Sequence, residues 1–221
     1  MKQRGLTLVE LLVGVAIALL IAAAAATLFV AQLRESRSLV LEARLMQDLR
    51  TAADLIARDL RRAGAWGSAA DGVWAAGAAG AATNPYLALA PESAASDAVS
   101  FRYSRDAAEN NAVDSNEQFG LRLRNAAIEI QLGAGNWQAL TDAGTVQVTA
   151  FTVTPQVQTL ELDAFCATPC PVGSTACPPR LQVRSLAVEI AGHLVADPRV
   201  VRSLRSDVRL RHDAPSGACA S

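Results

Sequence analysis

The chain has 221 residues, with 20 Lys and Arg against 21 Asp and Glu, and 51% of its residues are hydrophobic. This near-neutral balance excludes a polybasic nucleic-acid binder and an acidic disordered tail, and the length suits one compact domain plus an extended element. The apolar share is inflated by one segment. Residues 11–31 contain no charge and no proline, a length that lets a helix cross the hydrocarbon core of a bilayer. Eleven of these positions are Leu, Ile, Val or Phe, which supply about −3 to −7 kcal/mol of insertion free energy. Glu10, at the edge of the run, costs no more than about 3 kcal/mol, so insertion wins. Lys2 and Arg4 precede the run without an acid, whereas Arg34, Glu35 and Arg37 follow it as a mixed group. The positive-inside bias keeps the N-terminus cytoplasmic and places everything after the run outside.

From Gln32 the apolar pattern becomes one-sided. Leu41, Leu45, Leu49, Ala52, Ile56, Leu60 and Ala63 are spaced by threes and fours, a single stripe along a helix whose other positions are mostly charged. Arg58, Arg61 and Arg62 crowd the last turn and Gly64 supplies a stop. One unbroken helix is therefore predicted over residues 6–63, about 90 Å long. The Ala/Gly-rich stretch that follows has little packing power, and Trp66 and Trp74 read as anchors that pin it to a globular head.

Period-two alternation begins at residue 98 and recurs at 98–104, 119–125, 126–132, 145–154, 159–165, 180–190 and 199–211. Apolar residues alternate with Arg, Gln, Glu and Thr, which predicts antiparallel strands with one solvated side. The amphipathic half of the helix is the surface available to cover the other side. The fold class is α+β: a long helix packed against an antiparallel β-sheet head.

Cys166, Cys170, Cys177 and Cys219 are an even set on the oxidising side of a membrane, which reads as two disulfides with three possible pairings. Paired C-x-x-C spacing and convergent His ligands are lacking around them, with His193 and His212 on strands, so no metal centre is expected. Residues 106–118 are rich in oxygen ligands but lack the glycine and terminal glutamate of an EF-hand loop, and the default reading is a polar surface loop. Nucleophile elbows, H-E-x-x-H motifs and phosphate-cradling glycine loops are absent from the sequence. Neither an enzyme nor a cofactor is expected.

The stretch Arg4-Gly5-Leu6-Thr7-Leu8-Val9-Glu10, followed by about twenty apolar residues, resembles the processing motif of type IV pilins and type II secretion pseudopilins. The resemblance implies that a prepilin peptidase cuts between Gly5 and Leu6 and methylates the new Leu6 amine, while Glu10 is retained to pair with the amine of a neighbouring subunit and set its register. Leu6 departs from the phenylalanine usual at that position. The segment Leu55 to Gly67 is similar to the end of the long helix in PilW-type minor pilins. The implied organisation is a leader at 1–5, a transmembrane and filament-core helix at 6–31, an amphipathic half at 32–63, a connecting loop at 64–97 and a β-rich head at 98–221.

The implied function is that of a minor pilin, a structural and assembly subunit that is inserted in the inner membrane and later joins a type IV pilus. Its partners would be the prepilin peptidase, the major pilin and other minor pilins, with no nucleic acid and no small-molecule substrate. A minor pseudopilin of type II secretion is the alternative. A periplasmic domain released by ordinary signal peptidase is a further one, opposed by Glu10 inside the apolar run and by helical periodicity that continues past it.

Overall fold

The computed structural model describes residues 8–73 and 82–220. A single α-helix, α1 (Leu8–Leu60), runs unbroken for 53 residues. Its composition permits this, since it is rich in Ala and Leu and contains no proline. The chain divides into two compact units, residues 1–44 and 45–221. The boundary falls inside α1.

In the second unit the predicted stripe becomes core. Leu45, Leu49, Ala52, Ile56, Leu60 and Ala63 are buried, joined by Ala53 and Ala57, while Leu41 is half-exposed. The helix tightens at its end: Arg62 and Ala63 donate to carbonyls three residues back rather than four. Gly64 then adopts a φ of +79°, open to glycine without steric cost, and its N–H leaves the helix to donate to the Arg102 carbonyl at 2.8 Å.

That half of the helix packs against two antiparallel sheets. The first contains β1 (Leu89–Ala90), β2 (Ala98–Arg102), β3 (Gln118–Arg124), β4 (Ala127–Leu132) and β5 (Trp137–Ala139), in that order across the sheet. The second contains β6 (Val146–Glu161), β7 (Arg180–Leu194) and β8 (Asp197–Arg209), with β9 (Ala214–Ser216) pairing with β7. A bridge between Ser96 and Val153 links the segment before β2 to β6.

Alternation dictates which strand faces are covered. On β2, Val99 and Phe101 are buried while Ser100 and Arg102 are exposed. On β6 the phase changes: Val146 and Val148 are buried, then Phe151 and Val153. A bulge between Val148 and Ala150 absorbs the odd residue. Opposite it, a Cβ on Gly192 would lie 2.7 Å from the Gln147 carbonyl, so glycine is required where the backbones close in.

The two strands predicted at 145–154 and 159–165 are in fact one. β6 continues through Pro155 to Glu161, and Asp163–Phe165 forms a 3-10 turn. Pro155 is accommodated because its register partner, Leu186, lies on the β7 side, whereas that stretch of β6 has no named strand on its other side among the described residues. Strands β1, β5 and β9, of two or three residues each, are too short for alternation to reveal.

Candidate functional site

Residues 8–40 of α1 form a surface with no covered face: every side chain is exposed, including Leu8 at 74%, Leu20 at 72% and Phe29 at 65%. Isolated soluble proteins do not leave so continuous an apolar surface in water. The helix includes a window long and apolar enough to cross a membrane. Its one hydroxyl in residues 8–31 is already satisfied, because Thr27 Oγ1 donates to the Ala24 carbonyl at 2.8 Å. The sole charge between residues 5 and 33 is Glu10, exposed in the first turn of α1, where an acid complements the helix dipole. Gly5 and Leu6, the residues of the expected cut, lie outside the described residues, as does Trp74.

Where the helix hands over to the head, a polar junction holds the chain. Trp66 is buried and its indole N–H donates to Asn111 Oδ1 at 2.8 Å. Glu109 is the hub: Oε2 accepts from the Gly67 N–H, and Oε1 accepts from the Tyr86 hydroxyl and the Asn111 N–H, at 2.8 to 2.9 Å. Burial alone would raise its carboxyl pKa, but donors from Ser104, Asn111, Gly67 and Tyr86 pull it below the ordinary value. Tyr86, fully buried, has its hydroxyl pKa pushed up by burial and by Glu109. Sequence reasoning found the tryptophan anchor but missed its partners, because a glutamate in a polar loop looks the same whether it is solvated or at a junction.

The four cysteines pair as Cys166–Cys219 and Cys170–Cys177. Three of their sulfurs, those of Cys166, Cys170 and Cys177, lie within 4.8 Å of one another, yet all are consumed in disulfides and none is free to bind a metal. His193 and His212 do not converge on them: His193 sits on β7, and His212 follows β8 beside Arg184. Arg184 is buried and donates from Nη1 to the Leu87 carbonyl at 2.7 Å and from Nη2 to the His212 carbonyl at 3.1 Å. It joins the loop before β1 to the chain after β8, a structural role that the alternation pattern could not reveal. In the 106–118 loop, carboxylate oxygens of Asp106, Asp114 and Glu117 lie within 4.8 Å of one another.

Two family models match the chain. Residues 38–210 match the family described as prepilin peptidase-dependent protein B, and residues 1–26 match the prokaryotic N-terminal methylation motif. No curated protein and no solved structure matches it.

Proposed function

The chain belongs to the prepilin peptidase-dependent protein B family and is a type IV pilin-like protein, and from that premise we propose that it is a minor pilin of a type IV pilus, akin to the PilW type. In this reading the prepilin peptidase removes residues 1–5, cutting between Gly5 and Leu6 and methylating the Leu6 amine. The protein waits in the inner membrane with a cytoplasmic N-terminus and a periplasmic head. The apolar helix then exchanges lipid for the helices of the major pilin and other minor pilins.

The observation that carries the reading is the contrast within one continuous helix. Residues 8–40 are exposed on every side, whereas Leu45, Leu49, Ile56 and Leu60 are fully covered by the chain's own head. The covered half needs no further partner. The exposed half requires an apolar surrounding, first bilayer and then neighbouring helices. In such surroundings a new terminal ammonium is costly unless paired, and Glu10, five residues into the mature chain, is the carboxylate placed to receive it from an adjacent subunit. This is a mechanical function, in which one ionic contact sets the axial register of stacked helices.

Three measurements test it. N-terminal sequencing and mass spectrometry of the mature protein should find a methylated Leu6; a start after the alanines at 22–26 would overturn the reading. Glu10→Ala should leave membrane insertion and cleavage intact while removing the protein from sheared filaments. Deletion should abolish twitching motility, and loss of protein secretion instead would reassign the subunit to a type II secretion pseudopilus.

A further inference from the structure

The four cysteines form one sulfur cluster rather than two separate bridges. The Cys166 sulfur, bonded to Cys219, lies within 4.8 Å of both sulfurs of the Cys170–Cys177 disulfide. Backbone contacts assemble the cluster: β9 lays the C-terminal segment on β7, and the Ala218 N–H donates to the Ala176 carbonyl at 2.8 Å, one residue from Cys177. Exposure is graded across the four residues. Cys219 is exposed, Cys166 and Cys170 are half-buried, and Cys177 is buried. Between Cys166 and Cys177 every residue except Cys170 and Ser174 is exposed, and Gly173 adopts a φ of +82°. Sulfurs carried by so bare a loop can change partners without unpacking the core.

The grading gives disulfide chemistry a direction. Exchange proceeds by attack of a thiolate on one sulfur of a disulfide, and its rate follows access to that sulfur and the stability of the thiolate that departs. An external thiolate reaches exposed Cys219 first. The Cys166–Cys219 bond breaks, its electron pair leaves on the Cys166 sulfur, and a mixed disulfide forms at Cys219. The released Cys166 thiolate then stands beside a second disulfide. Attack on the Cys177 sulfur expels Cys170, which is open to water and takes a proton from it, whereas attack on Cys170 would strand a thiolate on buried Cys177. Two disulfides and one thiolate enter this sequence, and two disulfides and one thiol leave it, so no oxidant or reductant is consumed.

We propose that the cluster is a thiol–disulfide relay: an external thiolate opens Cys166–Cys219, and Cys166 then passes to Cys177, leaving Cys170 as the thiol and Cys219 bonded to the incoming sulfur. The second step has a consequence for the first. Cys166 is the sulfur placed to expel the incoming group from Cys219, and pairing with Cys177 withdraws it. The tail cysteine therefore stays joined to the external molecule while the loop stays closed by a disulfide of its own. The relay belongs to the head and is independent of the kind of filament the chain joins.

The direct test is Cys219→Ser in the full chain in detergent micelles, which releases Cys166 without any external thiol. The variant is equilibrated at about pH 8, where thiolates form. Exchange is then quenched with acid, the free thiol is trapped with N-ethylmaleimide, and the label is located by tandem mass spectrometry. It is expected on Cys170 in at least about one molecule in ten, with Cys166 joined to Cys177. A label confined to Cys166, or carried by Cys177 in preference to Cys170, overturns the proposal. Should Cys219→Ser lose the near-ultraviolet spectrum of the wild type, the wild-type chain decides. Treated with about 10 mM reduced glutathione, it should carry glutathione on Cys219 and the N-ethylmaleimide label on Cys170. Absence of an adduct at Cys219, or an adduct accompanied by a label on Cys166 alone, equally overturns the relay.

Discussion

Asn125 and Ala126 form the two-residue turn between β3 and β4, both with positive φ, 51° and 58°. This is the backbone of a hairpin turn that favours Asn-Gly, and alanine there bears the cost of a left-handed conformation, about 1–2 kcal/mol. Ala126→Gly is therefore expected to stabilise the head by about 0.5–1 kcal/mol, raising the denaturation midpoint without changing the slope. His212 makes a second prediction. Burial lowers its pKa below 6.5, the like charges of Arg184 and Arg211 add to the effect, and Asp213 opposes it. As pH falls through 6.5 the unfolded chain takes up a proton that the folded chain refuses, so stability falls between about pH 7 and the lowered folded value. Thermal midpoints measured across this window should show the slope in wild type, and His212→Leu should flatten it.

Among the elements, the disulfides separate cleanly. Cys166–Cys219 closes a loop of 53 residues and Cys170–Cys177 one of 7, so in the chain-entropy model the first contributes about 4 kcal/mol and the second about 2.5 kcal/mol. Cys166→Ser/Cys219→Ser should lower the urea midpoint of the head more than Cys170→Ser/Cys177→Ser, and the reverse order would show that strain or residual structure outweighs loop length. The long elements were legible in the sequence because burial repeats within them: steps of three and four residues mark the covered side of α1, and steps of two mark β2, β7 and β8. The bulge in β6 was not legible. Thr149 and Ala150 simply interrupt an alternation, and only the approach of Gly192 to Gln147 on the facing strand shows that the strand continues with its phase reversed.

For the whole molecule, the decisive feature is that the second compact unit begins within the helix, at Leu45. Seven helical residues are buried in that unit, Leu45, Leu49, Ala52, Ala53, Ile56, Ala57 and Leu60. Removing a single large side chain of this kind costs about 2–5 kcal/mol, which approaches the whole stability of a typical domain. A fragment starting at residue 38 is therefore expected to be soluble, monomeric and cooperatively folded, whereas one starting at residue 64 should aggregate or fail to fold, as judged by gel filtration and near-ultraviolet circular dichroism. The apolar run and the lone acid at Glu10 were evident from the chain alone, as were the helix, the β-rich head and the even cysteine count, because each depends on residue type and spacing along a few neighbouring turns or strand positions. The tertiary structure alone decided that the strands divide between two sheets, that Cys166 joins Cys219, that Glu109 reaches Gly67 and Tyr86, and that Arg184 ties Leu87 to His212. Those contacts unite residues tens of positions apart, and local periodicity carries no information about which distant partner closes the loop.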